Sequence, residues 1–127
     1  MSWSFSRNVV AVAGATFVGL GLLYAVNPLA VEFAGVTASS PTGLSDLRAV
    51  YGGVSLGLGG WLLHRAVTAR ELRAASLLAA LVCAGLASTR TLGLAVDGVT
   101  GLSASFAAFE ALGAIVGAMA WRRATEG

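Results

Sequence analysis

Four long apolar runs alternate with short polar segments along the chain. They cover residues 9–26, 44–63, 72–92 and 102–121. A helix needs about 20 apolar residues to cross a bilayer, so each run is long enough for one transmembrane span. The pattern predicts an all-α polytopic membrane protein, in which residues 1–127 form one bundle of four transmembrane helices.

The polar breaks between the runs predict where helices begin and end. Asn27 and Pro28 should end the first helix, and residues 29–36 are too few to span, so they lie at the interface or extend that helix past a kink. Residues 37–43 are rich in loop formers. We expect Thr42 or Ser45 to cap the second helix, with Asp46 in its first turn.

The first run also permits a second interpretation, as a secretory signal peptide, because Arg7 precedes it. Its small residues, Ala11 to Ala13, lie at the start of the run, whereas a cleavage site follows the apolar core. We therefore interpret the run as a transmembrane helix.

The composition excludes several other classes of protein. Of the residues, 57% are hydrophobic and 11% are charged, with a mean hydropathy of +0.82. A soluble domain has about a quarter charged residues, and a disordered chain has few apolar ones. Cys83 is the single cysteine, which excludes an intrachain disulfide, and a net charge of +2 gives no indication of nucleic-acid binding.

The positions of the basic residues predict the topology. Four spans place both termini and the second connection on one side, and that side holds six of the eight basic residues, namely Arg7, Arg65, Arg70, Arg73, Arg122 and Arg123. Because arginine-rich flanks face the cytoplasm, both termini should be cytoplasmic in the inner (plasma) membrane. A three-span alternative would scatter these charges. Trp3, Trp61 and Trp121 lie beside them, as interfacial anchors do.

Small residues mark one face on each of the last three helices, and each face includes one charge. The rows are Arg48, Gly52, Ser55 and Gly59; then Ser76, Ala80, Cys83, Ala87 and Arg90; then Glu110, Gly113 and Gly117. Small residues allow close helix contact within lipid. We expect these faces to surround a polar centre, with the first helix, which has Gly14 and Gly21, closing one side.

Glu110 is the candidate centre of a functional site. It lies near the middle of its span, where an ionised carboxylate costs about 2.5–3.5 kcal/mol, so it needs a partner or a proton. Glu110, Arg90 and Arg48 are the candidate catalytic residues. The candidate ligand-binding residues are Asp46, Tyr51, Ser55 and Asp97. A structural role remains open, because the arginines can extend to lipid headgroups and a protonated Glu110 can bridge helices.

Other reactive residues give no pattern of a site. His64 is the single histidine and Cys83 lies among alanines, so no metal site and no cofactor are expected. The glycines at residues 57–60 follow no strand and indicate helix packing rather than a nucleotide loop. Ser55 and Ser76 have no histidine at a matching depth, which excludes a catalytic triad.

The run Asp46-x-Arg48-x-x-Tyr51-Gly52-Gly53, followed by Arg90, Asp97-Gly98 and Glu110, gives a resemblance over nearly the whole chain. The chain resembles a bacterial family of four-helix membrane proteins described only as a domain of unknown function. It is also similar, more loosely, to the DoxX-like group. The resemblance implies a four-helix bundle and no particular activity.

Three functions remain open from the sequence. The polar centre suits a small lipophilic molecule, which it would bind and isomerise or hydrate, with Glu110 as acid or base and Arg48, Arg90 or Tyr51 orienting it. The second possibility is an accessory subunit that binds a membrane partner through its glycine rows. The third is proton-coupled transport by a homo-oligomer.

Overall fold

The computed structural model describes residues 4–124, and within that part of the chain the regular structure is entirely helical. In chain order the elements are α1 (Phe5–Val26), a 3-10 helix (Pro28–Ala34), α2 (Pro41–Leu47), a π-helical segment (Arg48–Gly53), α3 (Val54–Thr68), α4 (Leu72–Val96) and α5 (Gly101–Arg123). The predicted all-α class is confirmed.

Within residues 4–124, three helices are long and apolar enough to cross a membrane. They are α1, α4 and α5, with 22, 25 and 23 residues and mean window hydropathies of 2.2, 1.6 and 1.6. Each contains more than the roughly 20 residues that a span requires. The fold is therefore compatible with a multi-pass membrane protein.

Several helix boundaries differ from the sequence prediction. The second helical run begins at Pro41, and its cap is Ser40, whose hydroxyl accepts a hydrogen bond from the Gly43 amide at 3.0 Å. The prediction of Thr42 or Ser45 as the cap was wrong, because proline at the first helical position fixes the start earlier. Asp46 accordingly lies near the end of α2 and not in its first turn.

The segment between α2 and α3 keeps a helical path with a wider turn. Leu47, Arg48 and Val54 at its two ends all have right-handed helical backbone angles. Single π turns inside helices are rare and recur at functional sites. Here the wide turn spans Arg48 to Gly53, the region whose charge and glycines stand out in the sequence.

Close backbone contacts divide the described part of the chain into two compact units, residues 11–67 and residues 4–10 with 68–124. In the first, glycines hold α1 against α3 and the π-helical segment. A Cβ atom at Gly59 would lie 2.6 Å from the Val18 amide nitrogen, and one at Gly21 would lie 2.8 Å from the Leu56 amide nitrogen. The sequence predicted that the glycine face of the second helical run would line a polar centre together with α4 and α5. In the structure, Gly52 and Gly59 on this face pack on α1.

In the second unit, α4 and α5 form an antiparallel hairpin. A Cβ atom at Gly117 would lie 2.9 Å from the Ala80 backbone, and one at Gly113 would lie 2.9 Å from Cys83 Sγ. The start of α1 joins this unit, because the buried Ser6 hydroxyl donates a 2.8 Å hydrogen bond to the Ala120 carbonyl. The rows of small residues on α4 and α5 therefore mark their mutual contact, as predicted.

Arginines lie over aromatic rings near the helix ends. The Arg65 guanidinium carbon is 5.1 Å from the Trp61 ring centre, and that of Arg73 is 5.7 Å from the Trp121 ring centre. Such cation–π contacts suit an interface between lipid and water. Trp3, the third predicted anchor, lies outside the described residues.

The α1–α3 contact gives a test with a matched control. We expect Gly59→Ala to lower the free energy of unfolding by about 1–3 kcal/mol, because the added methyl group must displace backbone atoms of α1. Gly57→Ala on the same helix meets no atom within 4 Å and should leave stability unchanged or slightly raised. Chemical unfolding in detergent measures both. Equal losses in the two variants would contradict this packing.

Candidate functional site

Glu110 and Arg90 form a two-pronged ion pair between α5 and α4. Arg90 Nε donates to Glu110 Oε2 at 2.8 Å, and Arg90 Nη2 donates to Glu110 Oε1 at 2.7 Å. The Glu110 side chain is 12% exposed and that of Arg90 is 34% exposed. Two parallel charge-assisted hydrogen bonds fix the relative orientation of both side chains as well as their distance.

The length of α4 explains how Arg90 reaches Glu110. The run ended at residue 92, which would leave Arg90 at the boundary of its span, but α4 continues to Val96. Arg90 therefore lies six residues inside its helix, while Glu110 lies nine residues after the start of α5 at Gly101. At 1.5 Å of rise per residue, the arginine side chain covers the remaining difference in depth.

Phe106 lies beside the same guanidinium. Its ring centre is 5.1 Å from Arg90 Cζ, and it stands one helical turn before Glu110 on α5. A desolvated cation over an aromatic face is stabilised by the quadrupole of the ring. Arg90 is thus held by a carboxylate and an aromatic ring from a single face of α5.

A cleft of about 240 Å³ opens next to Arg90 at the end of the α4–α5 hairpin. Its lining comprises Arg90, Gly93, Leu94, Asp97, Gly98 and Ser103. Arg90 contributes a cation, Asp97 contributes a carboxylate and Ser103 contributes a hydroxyl group. The cleft therefore offers donors and an acceptor to a small polar group, beside apolar helix surface.

The turn that closes the cleft follows from its residue types. Gly98 has a φ of +108°, a region that side chains disfavour. Thr100 then caps α5, since its hydroxyl oxygen accepts a 3.1 Å hydrogen bond from the Ser103 amide. The Thr100 hydroxyl also donates to Ser103 Oγ at 2.9 Å. These bonds hold Ser103 at the rim of the cleft.

The remaining predicted site residues lie in the unit formed by residues 11–67. Exposed Arg48 donates from Nε to the Ala25 carbonyl at 3.1 Å, which satisfies an oxygen in the last turn of α1. The Tyr51 ring packs edge-on against Tyr24, with ring centres 5.7 Å apart. These contacts join the π-helical segment to the end of α1.

Asp46 and Ser55 flank that segment. The Asp46 side chain is exposed near the end of α2, and Ser55 is half-buried in the first turn of α3. Of the seven predicted site residues, the structure thus brings Glu110, Arg90 and Asp97 to one hairpin. The other four lie along the second helical run.

Sequence reasoning missed Phe106, Ser103, Gly93 and Leu94. A signal for Phe106 was present, because it precedes Glu110 by four residues and therefore shares its helix face. Ser103 could not be predicted from the sequence, because it is the hydrogen bond from its amide to the Thr100 hydroxyl that holds it at the cleft. Gly93 gave no signal of its own, and it lines the cleft because α4 extends beyond residue 92.

These features define a helical protein with membrane-length helices and an ion-paired carboxylate between two of them. A family described as Domain of unknown function (DUF4345) matches residues 5–122. The chain belongs to this family, which confirms the resemblance to an uncharacterised family. Neither the curated proteins nor the solved structures give a match. The similarity to the DoxX-like group stays a prediction.

The ion pair predicts a strongly non-additive double-mutant cycle. We expect Arg90→Met and Glu110→Met each to lower the free energy of unfolding by about 2–4 kcal/mol, because each removes both hydrogen bonds of the ion pair. The double variant should recover most of that loss, since methionine fills a similar volume. Chemical unfolding in detergent measures all four proteins, and losses that simply add would exclude coupling between the two side chains.

Proposed function

We propose that this chain is an integral inner-membrane protein of four spans that binds a small lipophilic molecule at the hairpin cleft. The observation that carries the proposal is the cleft itself, where Arg90, Asp97 and Ser103 meet at the end of two apolar helices. Ligand sites combine mostly apolar walls with a few placed polar groups. Here the lining is mainly polar, with Leu94 as its one apolar side chain, so the apolar part of a ligand entering from the bilayer would lie against the exposed apolar surface of α4 and α5.

The polar groups define the chemistry of the ligand. Arg90 supplies N–H donors, Asp97 supplies an acceptor, and Ser103 supplies a hydroxyl group. Because Glu110 already balances the charge of Arg90, a neutral molecule suits this site better than an anion. The matching ligand is a hydrophobic compound with a carbonyl or hydroxyl group, in the size range of a single ring or a short isoprenoid unit.

Binding is favoured over catalysis by the geometry of Glu110. Both of its carboxylate oxygens accept hydrogen bonds from Arg90. A general base must reach the proton that it removes, so isomerisation or hydration at Glu110 would require the pair to open. In the paired state Glu110 acts as a positioning residue that aims Arg90 at the cleft.

The fourth span is part of the proposal. The helical run from α2 through the π-helical segment to α3 exceeds the roughly 20 residues that a span requires, and its backbone stays helical at both junctions. With four spans, the arginines near the termini and in the α3–α4 connection lie on one side. The bias of basic residues toward the cytoplasm then places both termini there.

The number of spans can be tested with single cysteines. In a Cys83→Ala background, Ser4→Cys and Ala124→Cys should both be labelled by an impermeant thiol reagent only after the cytoplasmic side is opened. Four spans put these positions on the same side of the membrane, whereas three spans put them on opposite sides. Labelling of one position in sealed inside-out vesicles and the other in intact cells would overturn the four-span topology.

The ligand proposal can be tested by blocking the cleft. We expect a lipophilic molecule to co-purify with the wild-type protein, and Ser103→Phe to abolish its retention because the ring fills the cleft. Ser105→Phe is the matched control, since Ser105 is exposed on the same helix and does not line the cleft. Mass spectrometry of organic extracts measures the retained molecule, and circular dichroism checks the fold. Equal retention by both variants would overturn the proposal.

A second candidate function is helix–helix assembly with a membrane partner or another copy of the chain. At Gly57 and Gly60 on α3 and at Gly85 on α4, an added Cβ atom would have no neighbour within 4 Å, so these small residues lie on open helix surface. Small residues at open positions allow a second helix to approach closely. Disulfide crosslinking through Gly60→Cys, with Val67→Cys as an exposed control, distinguishes a specific contact from random collisions.

A further inference from the structure

Four exposed arginines lie at one end of the α4–α5 hairpin, where α4 begins and α5 ends. We propose that this basic end, defined as Arg70, Arg73, Arg122 and Arg123, binds the phosphate group of an anionic phospholipid. The inference is independent of the hairpin cleft. Arg73 and Arg90 stand 17 residues apart on α4, which corresponds to about 25 Å along a helix.

Contacts with aromatic rings hold two of these arginines at one end of the unit. The Arg73 guanidinium of α4 lies over Trp121 of α5 at 5.7 Å. The Arg123 guanidinium lies over Phe5, at the start of α1, at 4.9 Å. Cation–π contacts orient a guanidinium while leaving its positive charge in place. Arg73 and Arg123 are therefore oriented by their aromatic neighbours.

The charge balance at this end favours an anion. All four arginines are exposed, and the half-buried Arg7 adds a fifth positive charge nearby in the first turn of α1. In the described part of this end, Glu71 is the one carboxylate. Arginine pairs well with phosphate because its fork of N–H donors matches two phosphate oxygens.

Apolar stripes continue from the arginines along both helices. On α4, Leu77 and Leu81 follow Arg73 at intervals of four residues, and on α5, Met119 and Ile115 precede Arg123 in the same way. Leu81, Met119 and Ile115 are exposed. A phosphate at the helix ends with acyl chains along these stripes matches a phospholipid better than it matches a free phosphate ion.

Titration of the purified protein with defined lipids tests this proposal. Native mass spectrometry in detergent gives the affinity for phosphatidylglycerol and, as the neutral comparison, for phosphatidylcholine of the same acyl chains. We expect clear preference for phosphatidylglycerol, weakened by added salt. In the Arg70→Gln, Arg122→Gln, Arg123→Gln triple variant, affinity for phosphatidylglycerol should fall about fivefold for each arginine removed, or about a hundredfold in total.

The corresponding triple lysine variant is the matched control. It keeps the charge but lacks the fork of donors, so it should keep the salt-dependent preference for phosphatidylglycerol and lose less affinity than the glutamine variant. Circular dichroism verifies that each variant folds. If the glutamine variant does not fold, the lipid preference and salt dependence of the wild-type protein still decide the question. Equal affinity for the two lipids overturns the proposal. Competition by soluble glycerophosphoglycerol as strong as that by the lipid also overturns it, because the site would then bind free phosphate esters.

Discussion

The hydrogen-bonded pair of Arg90 and Glu110 is the constraint on which the rest of the second unit depends. An ionised carboxylate near the middle of an apolar helix is costly to remove from water, and the two hydrogen bonds from Arg90 to Glu110 offset that cost. The pair also fixes the register of α4 against α5, because only one alignment brings these two side chains together. That register places Ala80 against Gly117 and Cys83 beside Gly113. The hairpin cleft lies beyond the pair, toward the connection between α4 and α5.

Close packing through glycine supplies the second constraint. Without an apolar driving force between helices in lipid, association depends on contact area and on near approach of the backbones. Gly14, Gly21, Gly52 and Gly59 provide this between α1 and the second helical run, since a Cβ atom at any of them would meet backbone atoms at 3.1 Å or less. The two units thus differ: α4 and α5 combine an ion pair with small residues, whereas α1 and the second helical run meet mainly at glycines.

The apolar runs predicted the helix class and the approximate extents of α1, α4 and α5, because hydropathy follows directly from residue type. The pairing of Glu110 with Arg90 was also accessible, since a charge on a row of small residues must face another helix. The sequence did not predict the length of α4, because residues 93–96 contain Gly93 and end next to Asp97 and Gly98, which resemble a turn. The hydrogen bond of Arg48 could not be predicted from the sequence for another reason. Its partner, the Ala25 carbonyl, is a backbone atom that no residue pattern marks.

The π-helical segment is a place where a related chain could differ by one residue in length. A wider turn accommodates one more residue than an α-helical turn, and each residue of an α-helix rotates the following side chains by about 100°. Loss of one residue between Arg48 and Gly53 would therefore leave α3 seated on α1 and rotate Arg48 away from Ala25. A relative with a one-residue gap at this position would keep the scaffold and present a different side chain to the end of α1.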